Sequence, residues 1–291
     1  MQMPEITWSI VITTRNRSKM LQRCIESGLN QSVPVEIVVV DEASSDETEQ
    51  VAKAYGSKVI YHRNEQPVGH SKAANIGIRL ASGSWIKPID DDDYLSPDCL
   101  AEMTNKLRAS FEKQEFPVLI TGRYARVDEF ENPLGFFERP IPNSDHLLAG
   151  PELLQAMLHD RAPVGTPLQC AHSKEAAVAV GGWNENRVLR VQEGDDTEFW
   201  IRLASQGGFL FTFMIAGYKT QWPGNSHRST STRERYLASI GLKMQIVAAL
   251  GIHIPRPVLG RVTFHWMLVA LKHGQLVNAM SIAWAGTKSL F

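Results

Sequence analysis

The chain of 291 residues predicts an α/β fold around a mostly parallel sheet. Three observations carry that prediction. Short β-branched apolar runs recur at Trp8–Thr14, Val35–Val40 and Lys58–Tyr61, and stretches with helical spacing lie between and after them. The middle run, Val35-Glu36-Ile37-Val38-Val39-Val40, is apolar almost throughout, the pattern of a strand buried on both faces.

In order along the chain, Trp8–Thr14 is the first strand, with Arg15-Asn16-Arg17 as its turn. Ser18 is expected to cap a helix through Gly28 that carries Met20, Leu21, Cys24 and Ile25 on one face. The second strand ends at Asp41, Ser44–Thr48 opens a helix toward Tyr55, and a third strand precedes a helix over Ser71–Ala81. Ser84–Ile89 reads as a short buried strand that runs into Asp90-Asp91-Asp92-Asp93. Ligands of such sheets bind beyond the carboxyl ends of the strands, where Thr14, Asp41 and the Asp90 run all fall. From Leu100 to Trp222 the pattern is less periodic. Val118–Gly122 reads as a strand there, and Phe199–Ser205 as a helix behind the acidic group Glu193-Gly194-Asp195-Asp196. Arg233–Ala249 has the spacing of an amphipathic helix with Leu237, Ile240, Met244, Val247 and Ala248 inward, and Pro255 and Pro257 precede a last helical pair.

Composition sets further bounds. An apolar content of 43% supports a sizeable core, and a net charge of −1 gives no general electrostatic case for binding nucleic acid. The tail is nevertheless cationic, with eight basic residues from Arg228 to Lys288 against the single acid Glu234. Cys24, Cys99 and Cys170 are too few and too scattered for a disulfide framework or a structural zinc site. The first residues lack the features of a signal peptide, and no apolar run approaches the roughly 20 residues of a membrane span. From these features a cytoplasmic protein is expected, with peripheral attachment to the inner face of the membrane as the variant that the tail suggests.

Four consecutive carboxylates at a strand end make a poor core and a good cation site. If the chain stayed extended, Asp90 and Asp92 would face one side and Asp91 and Asp93 the other. Magnesium-like cations are typically held by one or two carboxylates plus substrate phosphates, so a metal nucleotide is the guest such a cluster suits. A solvated acidic loop is the competing explanation of the run taken alone.

Several segments then match one pattern in order: Ser9-Ile10-Val11-Ile12-Thr13-Thr14-Arg15-Asn16-Arg17, Val38-Val39-Val40-Asp41 with Ser44-Ser45-Asp46, Asn75-Ile76-Gly77 with Ala81-Ser82-Gly83, the Asp90 run closed by Leu95-Ser96-Pro97, Gly181-Gly182-Trp183, and Asp195-Asp196 before Phe199-Trp200-Ile201-Arg202-Leu203. Over about residues 8–229 the chain resembles the family 2 glycosyltransferases of GT-A fold, inverting enzymes that use nucleotide-diphosphate sugars. The resemblance implies a Rossmann-like nucleotide-binding sheet with helices on both faces, plus a C-terminal helical extension. Residues 1–104 would be the nucleotide-sugar half, 105–229 the acceptor and catalytic half, and 230–291 the helical region.

The resemblance also implies roles. Thr14 and Arg15 would line the nucleotide pocket, Asp41 would hydrogen-bond the base, and Lys72, Asn75, Asp90 and Asp91 would complete the donor-binding set. Mn²⁺ or Mg²⁺ would sit on Asp92 with Asp90 and Asp93, and His227 would complete the metal shell, touch the diphosphate or simply lie in a surface loop. Asp196 would be the catalytic base, with Asp195 beside it. The donor would be a nucleotide-diphosphate sugar, most readily UDP-linked, and the acceptor a saccharide or lipid-linked hydroxyl in glycan biosynthesis. Residues 230–291 would touch a membrane or a second copy.

The sequence departs from the family pattern in three places. Asp195 stands where Glu is usual, Ala74 stands where Arg often precedes the Asn, and the Gln-x-x-Arg-Trp of processive synthases is missing, which favours single additions. A sugar nucleotidyltransferase would carry a Gly-rich loop near the first strand, and this chain has none there. Gly69-His70-Ser71-Lys72 lacks the spacing of a P-loop. An inactive sugar-nucleotide-binding module is the remaining alternative, and keeping both acid groups argues against it.

Overall fold

The structure, a computed structural model, describes residues 4–136, 145–162, 164–185, 194–224 and 232–290, the last five of these by backbone only. The first part alternates as expected: β1 (Trp8–Thr14), α1 (Ser18–Leu29), β2 (Val35–Asp41), α2 (Thr48–Lys53), β3 (Val59–Arg63), α3 (His70–Leu80) and β4 (Trp85–Asp90). These four strands are parallel in the order β3-β2-β1-β4. Alternation along the strands divides their side chains between two cores. Val11, Val38 and Val40 enter one cluster, and Ile10, Ile12, Ile37 and Val39 enter the other, so each face of the sheet is closed by packed helices. Gly77 lets α3 lie flush on β1, since a Cβ there would stand 2.2 Å from Val11 Cγ1.

The second part departs from the parallel pattern. It contains β5 (Tyr94–Leu95), α4 (Cys99–Glu112), β6 (Leu119–Asp128), β7 (Pro133–Phe136), β8 (His146–Leu148), α5 (Gly150–Leu158), β9 (Cys170–Ser173), α6 (Lys174–Ala179), α7 (Asp195–Leu203) and β10 (Phe209–Gln221). The short β9 runs antiparallel between β4 and β6, and β10 lies parallel to β6, so one sheet continues across both halves. Lys87 of β4, fully buried, pins the junction: its ammonium donates to the carbonyls of Pro88, Pro167 and Leu168 at 2.8–2.9 Å. Burial lowers its pKa, and these three acceptors compensate for the solvation it gives up.

Three sequence expectations are corrected. The Ser18 side chain does not cap α1. Arg17 occupies the cap position without a side-chain bond, and the Ser18 N–H donates instead to Asp46 Oδ2 at 3.1 Å, because the acidic turn before α2 lies against this helix end. The helix expected over Phe199–Ser205 starts earlier, at Asp195, which places the acid pair in its first turn. The expected inner face of the next helix, α8 (Thr232–Leu250), is also wrong in part: Leu237 and Met244 are exposed, whereas Tyr236, Lys243, Ile246 and Val247 are buried. The reason is local, since the Lys243 ammonium reaches the Met157 carbonyl at 2.9 Å and Asp160 Oδ1 at 2.6 Å at the end of α5, rotating that face inward. The chain closes with α9 (Arg256–Lys272) and α10 (Leu276–Leu290).

His172 on β9 has no exposed surface, packs edge-on to Phe199, and leaves Nε2 without a hydrogen-bond partner. Burial holds its pKa down at about 4. Its neutral form is therefore the folded form, so stability present above pH about 6.5 is lost as the pH falls toward about 4, by roughly 3 kcal/mol in all. Equilibrium unfolding of wild type and His172→Phe across this window should show their stability difference shifting by that amount. A difference that stays constant with pH would contradict it.

Candidate functional site

The parallel strands deliver the site. In register, Thr14 at the end of β1 stands opposite Asp41 at the end of β2, and Thr13 stands opposite Asp90 at the end of β4. After Asp90 the chain turns at once, because the Asp93 N–H donates to the Asp90 carbonyl at 3.1 Å. The extended alternation expected through Asp93 therefore stops at Asp90. Burial still alternates, with Asp91 and Asp93 enclosed and Asp90 and Asp92 half-buried, but the turn brings Asp93 back toward the other two.

The enclosed pair is neutralised from inside. Asp91 accepts from Thr14 Oγ1 at 2.7 Å and from the Arg17 guanidinium at 2.7 Å, and burial pushes its pKa up to about 7 against the pull of Arg17. Asp93 accepts from the Thr220 N–H at 2.9 Å and from Lys219 Nζ at 3.1 Å, and burial raises its pKa too. Burial alone would lower Lys219, but Asp93, Asp90 and Asp92 hold it above the ordinary lysine value. The outer pair is left with open oxygens. Asp92 Oδ2 accepts from Trp222 Nε1 at 2.9 Å and lies 3.6 Å from the Arg17 guanidinium, which leaves Oδ1, and Asp90 Oδ1 stands 3.8 Å from His70 Nε2.

One oxygen each from Asp90, Asp92 and Asp93 lies within 4.8 Å of the others. Both Asp93 oxygens are already bonded, so the free donors are those of Asp90 and Asp92. Two half-buried carboxylates with hard oxygen donors fit a Mg²⁺ or Mn²⁺ ion that also binds substrate phosphates.

The acid pair of α7 approaches from the other half. Asp195 Oδ2 accepts from Ser71 Oγ at 3.2 Å, which joins the first turns of α3 and α7. Asp196 is half-buried at the surface, and enclosure of its carboxyl raises its pKa, with Asp90 adding to the rise and His70 opposing it. Asp196 and Asp90 are thus electrostatic neighbours although 106 positions separate them in the chain.

Other expected residues are placed differently. Asp41 is fully buried: Oδ1 accepts from the Ser44 N–H at 2.9 Å and from its hydroxyl, and Oδ2 from the Tyr61 hydroxyl at 2.6 Å. Its carboxylate organises the turn after β2 in this state. Arg15 and Lys72 are exposed, and the Arg15 N–H lies 3.4 Å from Asp91 Oδ2. His227 lies outside the described residues. The residues that sequence reasoning passed over are Arg17, His70, Lys219 and Trp222. Arg17 stood inside a quoted motif, whereas Lys219 and Trp222 lie in and just after the unforeseen strand β10.

Asn75 is tied into the fold. Its Oδ1 accepts from the Trp183 N–H at 2.7 Å, and its Nδ2 donates to the Trp183 carbonyl at 2.8 Å. A Cβ on Gly182, whose φ is +72°, would stand 2.3 Å from Asn75 Oδ1, which explains the glycine. Trp183 then stacks on Phe199 at 4.9 Å and meets His70 edge-on at 5.1 Å, supporting the acid pair from below. An open cleft of about 510 Å³ flanks the same turn, but its charged lining is already engaged: Glu198 pairs with Arg202 at 2.8 Å, and Glu185 accepts from Asn75 Nδ2 at 2.9 Å. Asn75→Ala should lower unfolding free energy by about 2–3 kcal/mol, since it strands a buried N–H and C=O, while Lys72→Ala should stay within about 0.5 kcal/mol of wild type. Denaturant titration checks both, and equal small effects would show that the clamp is unimportant.

Residues 9–133 match the sequence profile of the family described as glycosyl transferase family 2. The chain is 28% identical over 144 residues to poly(ribitol-phosphate) beta-glucosyltransferase of Bacillus spizizenii, covering 47% of this chain and 22% of that one. Among solved structures, S. aureus TarS residues 1–349, in complex with UDP-GlcNAc, superposes with a TM-score of 0.64 at 14% identity over 98% of this chain and 92% of the other. The mannosyltransferase PcManGT of Pyrobaculum calidifontis, in complex with GDP-Man and Mn²⁺, gives 0.58 at 15% identity, covering 99% and 81%. The chain spans less than two thirds of the length of the curated relatives that it matches. Residues 9–133 thus carry the sequence pattern of glycosyl transferase family 2, and the chain as a whole has the GT-A fold of its solved neighbours.

Proposed function

We propose that the protein transfers a sugar from a nucleotide-diphosphate donor, UDP-linked by preference, to an acceptor hydroxyl with inversion at the anomeric carbon. The observation that carries this reading is the meeting of Asp196 with the Asp90 turn at the carboxyl edge of the sheet. Two relatives of known structure bind sugar nucleotides in this fold, one with UDP-GlcNAc and one with GDP-Man and Mn²⁺.

In this reading Asp90 and Asp92 would hold a divalent cation that also binds the donor diphosphate. The ion, when bound, supplies Lewis-acid stabilisation of the charge that builds on the leaving phosphate. Asp196 takes the proton of the acceptor hydroxyl as its oxygen bonds to the anomeric carbon, and the bond to the diphosphate breaks with its electron pair leaving on the phosphate oxygen. A carboxylate serves as a better base when its pKa is raised, and burial beside Asp90 does this for Asp196. Arg17 and Lys219 keep the inner carboxylates fixed so that the outer pair retains its aim.

Asp196→Asn should lower kcat by about 10²–10⁴-fold with little change in donor affinity, because the lost group acts on the acceptor. Equal losses in donor affinity and rate would remove Asp196 from the base role. Asp92→Asn, or treatment of wild type with EDTA, should abolish turnover, and transfer that survives both would refute the metal assignment. NMR of an early product from an α-linked donor should show a β linkage; retention would refute the single displacement.

A further inference from the structure

Both C-terminal helices bury one face and present apolar side chains on the other. They pack on each other through the turn at Gly274, and Val258, Val262, Ala279 and Ile282 join the main core. Opposite, Phe264, Leu268 and Leu271 recur at i, i+4 and i+7 on α9, with Phe264 57% exposed. On α10, Val277, Met280 and Trp284 recur at i, i+3 and i+7 and are 82%, 67% and 65% exposed. Large apolar side chains grouped on adjacent helices in this way mark a surface that meets something apolar.

Charge selects what that is. From Arg235 to the end of α10 the sequence contains basic residues and not one Asp or Glu. Arg261 and Lys272 are exposed toward the two ends of the α9 stripe. A second copy would place this cationic face against itself, since a two-fold contact is self-complementary, and neither α9 nor α10 contains an acid to pair with. An anionic bilayer satisfies both features, taking the apolar stripe among its acyl chains and the cations at its headgroups. Among the described residues no helix is long and apolar enough to cross a membrane, so the geometry is that of lying on the surface.

We infer that the α9–α10 hairpin docks this protein on an anionic lipid surface. The docked element is coupled to the site: α8 packs on α9, and its Leu242 Cδ1 lies 3.1 Å from the Cβ position of Gly194, the residue before the acid pair. The inference stands independently of the sugar-transfer reading, because lipid binding is measured without donor or acceptor.

The test is co-sedimentation of the full chain with vesicles of phosphatidylcholine alone, or of phosphatidylcholine and phosphatidylglycerol in equal parts. Binding is expected only to the anionic vesicles, weakened by high salt and reduced at least about tenfold by Phe264→Glu, Val277→Glu and Met280→Glu together. Thermal unfolding of this triple variant should match wild type, because all three side chains project outward. Absence of binding to anionic vesicles, or equal binding to both compositions, would overturn the inference. A concentration-dependent dimer in sedimentation velocity that the triple variant dissociates would assign the face to a second copy instead.

Discussion

The turn at the end of β4 imposes the constraint on which the rest of the site depends. Four adjacent carboxylates repel one another and cannot all be buried or all be aimed at solvent. The fold resolves this by dividing them. Asp91 and Asp93 go inward to Arg17 with Thr14 and to Lys219 with Thr220, and that commitment forces Asp90 and Asp92 outward with free oxygens. The inner pair is thus the anchor of the outer pair. Arg23 adds a further brace, donating to the Asp92 carbonyl at 2.9 Å and to Thr220 Oγ1 at 2.6 Å while lying over the Tyr94 ring.

A second anchor holds the other side of the cleft. Asn75 on α3 grips both backbone groups of Trp183, and Trp183 stacks on Phe199 of the helix that begins with the acid pair. Ser71 then ties Asp195 to the first turn of α3. The positive ends of two helix dipoles consequently converge where a phosphate or a deprotonated carboxylate is best tolerated. Ala74, in place of a basic side chain, is buried beneath this junction and contributes packing and no charge. His70 faces Asp90 at this junction, its Nε2 3.8 Å from Asp90 Oδ1.

The C-terminal helices are part of the same body and not an appendage. Lys243 holds α8 to the end of α5, and the buried faces of α9 and α10 complete the core that α7 also enters. Their remaining apolar surface is therefore not a packing failure of the catalytic fold, since the faces that fold needs are already covered. The hairpin presents rigid helices to whatever it meets, which makes its orientation relative to the acid pair a property of the fold.

The sequence by itself determined the strands β1 to β4, because short, near-continuous β-branched apolar runs and the turns between them are local signals. It also determined the sheet edge that carries Thr14, Asp41 and Asp90, because parallel strands place their carboxyl ends together. Resemblance over short ordered motifs pointed to the family pattern that residues 9–133 match, and the acid groups at Asp90–Asp93 and Asp195–Asp196 were legible as clusters. Tertiary structure decided what a linear pattern does not encode. Asn75 was legible as a motif residue, but its partner Trp183 lies 108 positions away, so its clamping role emerged only on folding. The insertion of β9 between β4 and β6 depends on four residues with no periodicity of their own, and the cations that sort the four carboxylates arrive from Arg17 and Lys219 at opposite ends of the domain. Which oxygens remain open is set by those distant partners, and long-range pairing is the part of the physics that spacing along the chain does not contain.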